Sequence, residues 1–410
     1  MNIYIRTDSA LNIGSGHVMR CLNLADGLSE KEGSKITFIC KNHEGNLGEL
    51  IKQRGYHLEL MDNTYEPSLD IKTWLGSEWQ DDANETSKII KSIESNIINS
   101  SESQIIKSTE SQKKNQRLTD QPIWLIIDHY NIYRNWEEIL IQQISDLRIL
   151  VIDDYYDREH LANIVLNQMY HKNNQKLVDR YLKLIKSSNN NDNKISVNPV
   201  FLIGTKYCLL NPKIKGYKKK PEKIPKKPGK IGRTKILLTL GGNDPENVTL
   251  EVIKTLTEVE LNVDIEIIIG NSNPHHLAIE EYLAIYKSKS DSESIINLHR
   301  GLKQEAVFKI LKECDFAIGA IGVSMYERLC IGLPSMVVNI AENQVSICEE
   351  MNDLIMDLGF GLSFDKGKLI EMVDEWSKNK TKLDKTREHY QSICDGEGVS
   401  RIVSTIFEGQ

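Results

Sequence analysis

Short apolar runs rich in β-branched residues alternate with stretches of helical spacing, and the alternation occurs twice along the chain. "NIYIR", "KITFIC", "IWLIID", "RILVIDD" and "NIVLNQ" are such runs, each flanked by polar turns. A strand buried on both faces of a parallel sheet needs a continuous apolar run of that size. Between the first two runs, Val18, Cys21, Leu22, Ala25 and Leu28 recur every three or four residues and make one apolar helix face. Repetition of strand, helix and strand marks a doubly wound α/β domain. The pattern then restarts with "KILLTLGG", "VDIEIIIG", "INLHRG", "CDFAIGAIG" and "LPSMVVNI", with helical segments such as Ser324–Ile331 between them. The expected fold class is therefore α/β, with two Rossmann-like doubly wound domains in one chain.

The break between the halves is compositional. "KIKGYKKKPEKIPKKPGKIGRTK" (Lys213–Lys235) is lysine-rich, carries three prolines and reads as a solvated linker. The expected organisation is an N-terminal domain over 1–212, a linker over 213–234 and a C-terminal domain over 235–410. Two polar segments, about 86–121 and 186–197, read as exposed, mobile insertions, because their composition buries too little apolar surface to offset ordering. A formal charge of −7 argues against nucleic-acid or membrane-surface binding. No apolar run approaches the roughly 20 residues that span a bilayer. The N-terminus lacks the zones of a signal peptide, and the seven scattered cysteines suit reduced thiols, so a cytoplasmic protein is expected. Nothing in the sequence sets an oligomeric state.

"RTDSALNIGSGHVMRC" (Arg6–Cys21) follows the first strand. As a dinucleotide fingerprint it fails, since Met19 stands where the third glycine belongs and the second strand is followed by Lys41 and Asn42 rather than an acidic residue. It also lacks the Gly-Lys-Ser/Thr of a Walker loop. Gly14 and Gly16 have no Cβ, so the backbone turns sharply there and a ligand approaches closely. His17 falls in the first turn of the following helix, where the helix dipole disfavours imidazolium and keeps the ring neutral near pH 7. A neutral imidazole is what a general base for water requires. Asp8, at the end of the strand, is a candidate substrate contact and the candidate to orient that ring. On chemistry alone two readings stay open: a general base, or a loop histidine bonded to nearby backbone.

Other candidates lie where doubly wound sheets place ligands, at the carboxyl ends of strands. "IIDHY" ends a strand with Asp128, His129 and Tyr130; Tyr130 is a candidate substrate contact and His129 a weaker base than His17. In the second half, Gly322 and Ser324 open a helix whose free N–H groups suit a pyrophosphate. Glu327, three residues on, is placed either to accept ribose hydroxyls or simply as a favourable first-turn charge. Gly241, Gly242 and Asn243 form a second strand-end loop, which is either a ligand contact or a tight turn before a helix. Asp153 and Asp154 read as a strand-end turn. No metal-ligand spacing appears, and no cofactor is expected.

"RTDSALNIGSGHVMRCLNLADGL" closely resembles the N-terminal motif of the UDP-2,4-diacetamido-2,4,6-trideoxy-β-L-altropyranose hydrolases of pseudaminic acid biosynthesis, relatives of the GT-B glycosyltransferases. "WLGSEWQDDANET", "IIDHY", "VIDD", "GTKYCLL", "LLTLGGNDPENVT", "YERLCIGLP" and "ENQ" follow in the same order, so the resemblance spans nearly the whole chain outside the inserted segments. It implies a GT-B-like architecture with an interdomain cleft. It makes His17 the base that activates water and Glu327 a ribose ligand. It turns Gly242 and Asn243 toward the nucleotide-sugar and brings Asn343 of "ENQ" to the sugar. Many family members carry arginine after the Tyr-x-Leu-Leu element, where this chain has Asn211, so the cation that the resemblance would bring to the diphosphate is missing at this position.

The expected partner is a small-molecule UDP-sugar. The expected reaction is metal-independent, inverting hydrolysis of the anomeric C–O bond, which releases UDP and free sugar. Glycosyl transfer from a UDP-sugar to an acceptor hydroxyl is the alternative.

Overall fold

The computed structural model describes residues 1–105, 122–188, 197–220, 233–242, 244–259, 261–271, 273–289 and 294–408, with backbone alone at 100–105, 186–188 and 343. Two compact units emerge. The first comprises Met1–Met169, Asn173–Leu209 and Val399–Gln410; the second comprises Tyr170–Lys172 and Leu210–Gly398.

In the first unit the order is β1 (Asn2–Thr7), α1 (Gly16–Ser29), β2 (Lys35–Lys41), α2 (Gly48–Gln53), β3 (His57–Met61), α3 (Trp79–Ile105) and β4 (Ile123–Asp128). Next come α4 (Arg134–Gln143), β5 (Leu147–Ile152), β6 (Ile164–Asn167), α5 (Asn174–Ser188) and β7 (Val200–Ile203). The seven strands form a parallel sheet in the order β3-β2-β1-β4-β5-β6-β7. Alternate residues of each strand feed opposite cores. Ile3, Ile5, Phe38 and Ile126 pack with Val18, Cys21, Leu22, Ala25 and Leu28 of α1. Tyr4, Ile39, Leu125 and Ile127 pack with Ala83 and Ile90 of α3, Trp136 and Leu140 of α4, and Tyr181 of α5. Helices on both faces explain why the strands read as unbroken apolar runs.

The second unit repeats the plan with β8 (Thr234–Thr239), α6 (Val248–Thr257), β9 (Val263–Ile269), α7 (His276–Lys289), β10 (Ile296–Arg300), α8 (Gln304–Glu313), β11 (Phe316–Gly319) and α9 (Val323–Ile331). It continues with β12 (Ser335–Asn339), α10 (Glu342–Glu350), β13 (Met356–Phe360), α11 (Lys366–Lys378) and α12 (Lys380–Ile393). Its six parallel strands run β10-β9-β8-β11-β12-β13. The last helix, α13 (Gly398–Glu408), carries Val399, Ile402, Val403 and Ile406 into the core of the first unit.

Three sequence expectations are corrected here. The C-terminal stretch is not part of the second unit: from Val399 the chain rejoins the first, where Val399, Ile402, Val403 and Ile406 join the core of α1 and its sheet. Residues 86–105 of the first inserted segment are helical. Composition hid an apolar face at Ala83, Ile90, Ile93 and Ile97, and Asp82 on the same helix accepts from Arg6 and Trp136 inside the core. Of the linker, Pro212–Tyr217 is a 3-10 turn with Ile214 buried. The rest of these segments, at 106–121, 189–196 and 221–232, falls outside the described residues. No helix among the described residues is long and apolar enough to cross a membrane.

Ile90 is fully buried on α3. Ile90→Ala is expected to lower the free energy of unfolding by about 2–4 kcal/mol in urea titration. A change near zero would remove this helix from the core.

Candidate active site

A parallel sheet of order 3-2-1-4 reverses direction between β1 and β4, and the loops leaving those two strands diverge to open a crevice. Both of the residues that dominate this site sit at that point. Thr7, the last residue of β1, is paired in register with Asp128, the last residue of β4. The chain after β1 closes a tight loop: Gly14 N–H donates to the Ala10 carbonyl at 2.9 Å, and Gly14 adopts φ +85°. That conformation is costly for any residue with a Cβ. α1 then begins at Gly16, with Ser15 as its N-cap and His17 as its second residue.

His17 is 9% exposed. Its Nδ1 lies 2.7 Å from Asp128 Oδ1. Arg20, one turn further along α1, donates from Nε to Asp128 Oδ2 at 2.6 Å and from Nη2 to Oδ1 at 2.6 Å. Its Nη1 donates to Asp154 Oδ2 at 2.7 Å. Burial pushes the Asp128 carboxyl up, but Arg20 and His17 outweigh burial and hold it far below the usual range. An ionised carboxylate only accepts hydrogen bonds, so the proton of the imidazole sits on Nδ1. Nε2 has no hydrogen-bond partner among the described residues.

Aromatic rings wall one side. Tyr130 meets the His17 ring edge-on at 4.6 Å, Trp74 stacks on Tyr130 at 5.7 Å, and Tyr155 packs edge-on against Tyr130 at 4.6 Å. The Tyr130 hydroxyl donates to Asp154 Oδ2 at 3.0 Å, and burial together with Asp154 pushes its pKa well up. Beyond Tyr130 opens a cavity of about 950 Å³, with Tyr65, Trp79, Tyr133 and Tyr155 in its lining. Aromatic walls with a few polar groups are typical of small-molecule sites of that size.

Asp8 does not orient the ring. Its Oδ1 accepts from Arg6 Nη1 at 2.6 Å and from the Lys41 N–H at 2.7 Å, and Arg6 forks on to Asp82 of α3. Arg6 and Asp8 lie two residues apart on an extended chain and so share a face, which directs Asp8 into this buried network. His129 is also committed. Its Nδ1 accepts from the Asn131 N–H at 3.1 Å, it is buried, and burial lowers its pKa to about 4. Asp153 makes the expected strand-end turn, accepting from the Tyr155 and Tyr156 N–H groups.

The second unit repeats the geometry between β8 and β11, where Thr239 pairs with Gly319. Gly241 and Gly242 follow β8; Asn243 lies outside the described residues. Gly322, exposed, is the N-cap of α9 and Ser324 its second residue, with no side chain capping the helix. The Val323 and Ser324 amides have no protein partner among the described residues. Glu327 is half-buried one turn in. Burial raises its pKa, and its Oε1 accepts from Gln304 Nε2 at 3.3 Å. Gln304 Oε1 in turn accepts from Asn211 Nδ2 at 2.9 Å, so Asn211 is linked through Gln304 to the Glu327 carboxylate. Asn343 is the second residue of α10; its side chain lies outside the described residues. No group of three or more His, Cys, Asp or Glu side chains among the described residues is arranged to hold a metal.

Sequence reading missed Arg20, Trp74 and Gln304. Arg20 had a signal, a charged residue three positions after His17 on the same helix face. Trp74 and Gln304 carried none, since their roles depend on loops from distant strands.

No protein-family model matches the chain. It is 25% identical over 82% of its length to an uncharacterised protein of Methanocaldococcus jannaschii, covering 55% of that protein. It is 26% identical over 42% of its length to the spore coat polysaccharide biosynthesis protein SpsG of Bacillus subtilis, covering 49% of that protein. The chain thus spans about half the length of the curated relatives it matches. Among solved structures, MurG of Acinetobacter baumannii superposes with a TM-score of 0.59 at 12% identity, over 99% of each chain. Two parallel-sheet α/β units together with this likeness establish a GT-B fold of two Rossmann-like units.

The buried neutral His129 has a consequence for pH. Its folded pKa of about 4 lies below the ordinary 6.5, so the unfolded chain binds the proton more tightly. The stability it contributes is complete above pH 6.5 and is lost as pH falls toward 4. The urea midpoint of the parent is expected to drop across this window more steeply than that of His129→Gln. Equal slopes would contradict a buried neutral ring.

Proposed function

We propose that the chain hydrolyses a nucleotide-sugar, with UDP as the leaving group and a 2,4-diacetamido-2,4,6-trideoxyhexose as the sugar. The observation that carries the proposal is the pairing of His17 Nδ1 with Asp128 at 2.7 Å, which commits Nδ1 to donation and leaves Nε2 with no hydrogen-bond partner among the described residues. A ring held in that tautomer accepts a proton from water. The water oxygen attacks the anomeric carbon as its proton passes to Nε2. The C–O bond to diphosphate breaks, and its electron pair stays on the departing oxygen. Attack opposite the leaving group inverts the anomeric centre. Uncapped amides at the start of α9 suit the charge that develops on the diphosphate, so neither a metal nor a dedicated acid is required. Glu327 suits the ribose hydroxyls, and the Gly14–Gly16 loop and Tyr130 suit the sugar. The resemblance of the first-loop motif and its following landmarks supports the sugar class.

Transfer to an acceptor hydroxyl is the second reading. The GT-B likeness to MurG supports it, as does the cavity beside Tyr130, which is large enough for a further sugar ring. The base chemistry is the same, and only the nucleophile differs.

The test is UDP release from the UDP-linked sugar in EDTA with no acceptor present. Steady release is expected, with His17→Asn lowering kcat by about 10²–10⁴-fold while the variant stays folded. Release that depends on an added acceptor would favour transfer. A requirement for added metal, or parental rates in His17→Asn, would contradict the mechanism.

A further inference from the structure

Arg328 lies on α9, directly after Glu327, and is fully buried. A buried guanidinium is normally paired with a carboxylate and bonded through most of its donors. This one is not. Nη2 donates to the Ala320 carbonyl at 2.7 Å and contacts Met325 Sδ at 3.1 Å. Nε and Nη1 have no hydrogen-bond partner among the described residues. No carboxylate among the described residues comes within ion-pair distance of it. The fold makes room for the group: a Cβ on Gly319 would stand 2.3 Å from Nη1 and 2.8 Å from Cζ. Burial lowers its pKa to about 10, with Tyr390 and Glu327 offsetting only part of that loss.

An unpaired buried cation of this kind is an energetic liability, and an apolar side chain of similar volume removes it without loss of packing. Its position gives it a use. Ala320 is the first residue after β11, and the turn Ala320–Gly322 leads to the uncapped start of α9. The guanidinium therefore holds the carbonyl of the turn that presents the Val323 and Ser324 amides. It also adds a full positive charge, in a poorly screened interior, at the helix end already suited to an anion.

We propose that Arg328 is a positioning residue for the diphosphate of the bound nucleotide, fixing the turn before α9 and supplying the unneutralised charge that a diphosphate completes. This rests on the reading of α9 as the nucleotide site. Its signature is a residue that lowers stability and raises phosphate affinity, a trade-off common at functional sites.

The test uses the full chain, with UDP and uridine as probes in calorimetric titration. Arg328→Met is expected to melt at or above the parental temperature, since an unpaired buried charge is removed. Its Kd for UDP is expected to rise at least about tenfold, equivalent to roughly 1.4 kcal/mol. Its Kd for uridine should stay at the parental value, because no phosphate is present. Arg328→Lys, which keeps the charge, should recover most of the UDP affinity. The proposal is overturned if Arg328→Met binds UDP as the parent does, or loses UDP and uridine by the same factor. It is equally overturned if that variant is markedly less stable than the parent, or if Arg328→Lys loses as much as Arg328→Met. A parent chain that binds neither UDP nor uridine would instead remove the nucleotide reading of α9, and the role of Arg328 with it.

Discussion

The bonds that Arg20, Asp128 and His17 share inside the first unit are the constraint on which the reactive geometry depends. A carboxylate fully removed from water would ordinarily take up a proton, and a protonated Asp128 would no longer require a proton on His17 Nδ1. Arg20 prevents this by forking onto both oxygens, and it is itself steadied by Asp154 at the end of β5. Three consecutive strand ends, of β1, β4 and β5, thus converge on one imidazole. Their spacing is set by the hydrogen-bonded sheet rather than by the loops, which is how a ring is held to the tolerance that proton transfer needs.

The second unit applies the same logic to a different chemical task. Between β8 and β11 the strand ends present glycines and an uncapped helix instead of a titratable ring. Where the first unit pairs buried Arg20 with two aspartates, the second leaves Arg328 with no carboxylate at ion-pair distance among the described residues. On the proposed reading, one switch point takes a proton and the other receives negative charge. The chain from Asn211 through Gln304 to Glu327 shows how a neutral amide links the end of the first stretch of chain to the α9 carboxylate.

Much of this was legible in the sequence. The apolar runs that feed the sheet centres were readable because helices on both faces remove any polar alternation. Gly14, His17 and Gly322 were readable because a loop that turns sharply into a helix leaves its mark within a few residues. The edge strands β3 and β13 were not, since they bury only part of their residues and polar residues interrupt the apolar run; β7 is an unbroken apolar run but only four residues long. α3 was missed because serines and asparagines diluted an apolar face that composition alone does not resolve. The partner of His17 lies 111 residues away, and only the register of β1 against β4 brings it there. Asp8 was nearer in sequence but shares its face with Arg6 instead. α13 carries a clear apolar face at Val399, Ile402, Val403 and Ile406, yet nothing in that spacing says which core it completes.

The most direct measurement of the central claim is the ¹⁵N spectrum of the His17 side chain in the folded protein, assigned by comparison with His17→Gln. The account predicts a neutral ring with its hydrogen on Nδ1 and an imine-type shift at Nε2. A neutral ring with its hydrogen on Nε2 would contradict it, for such a ring has no lone pair left to receive a proton from the attacking oxygen.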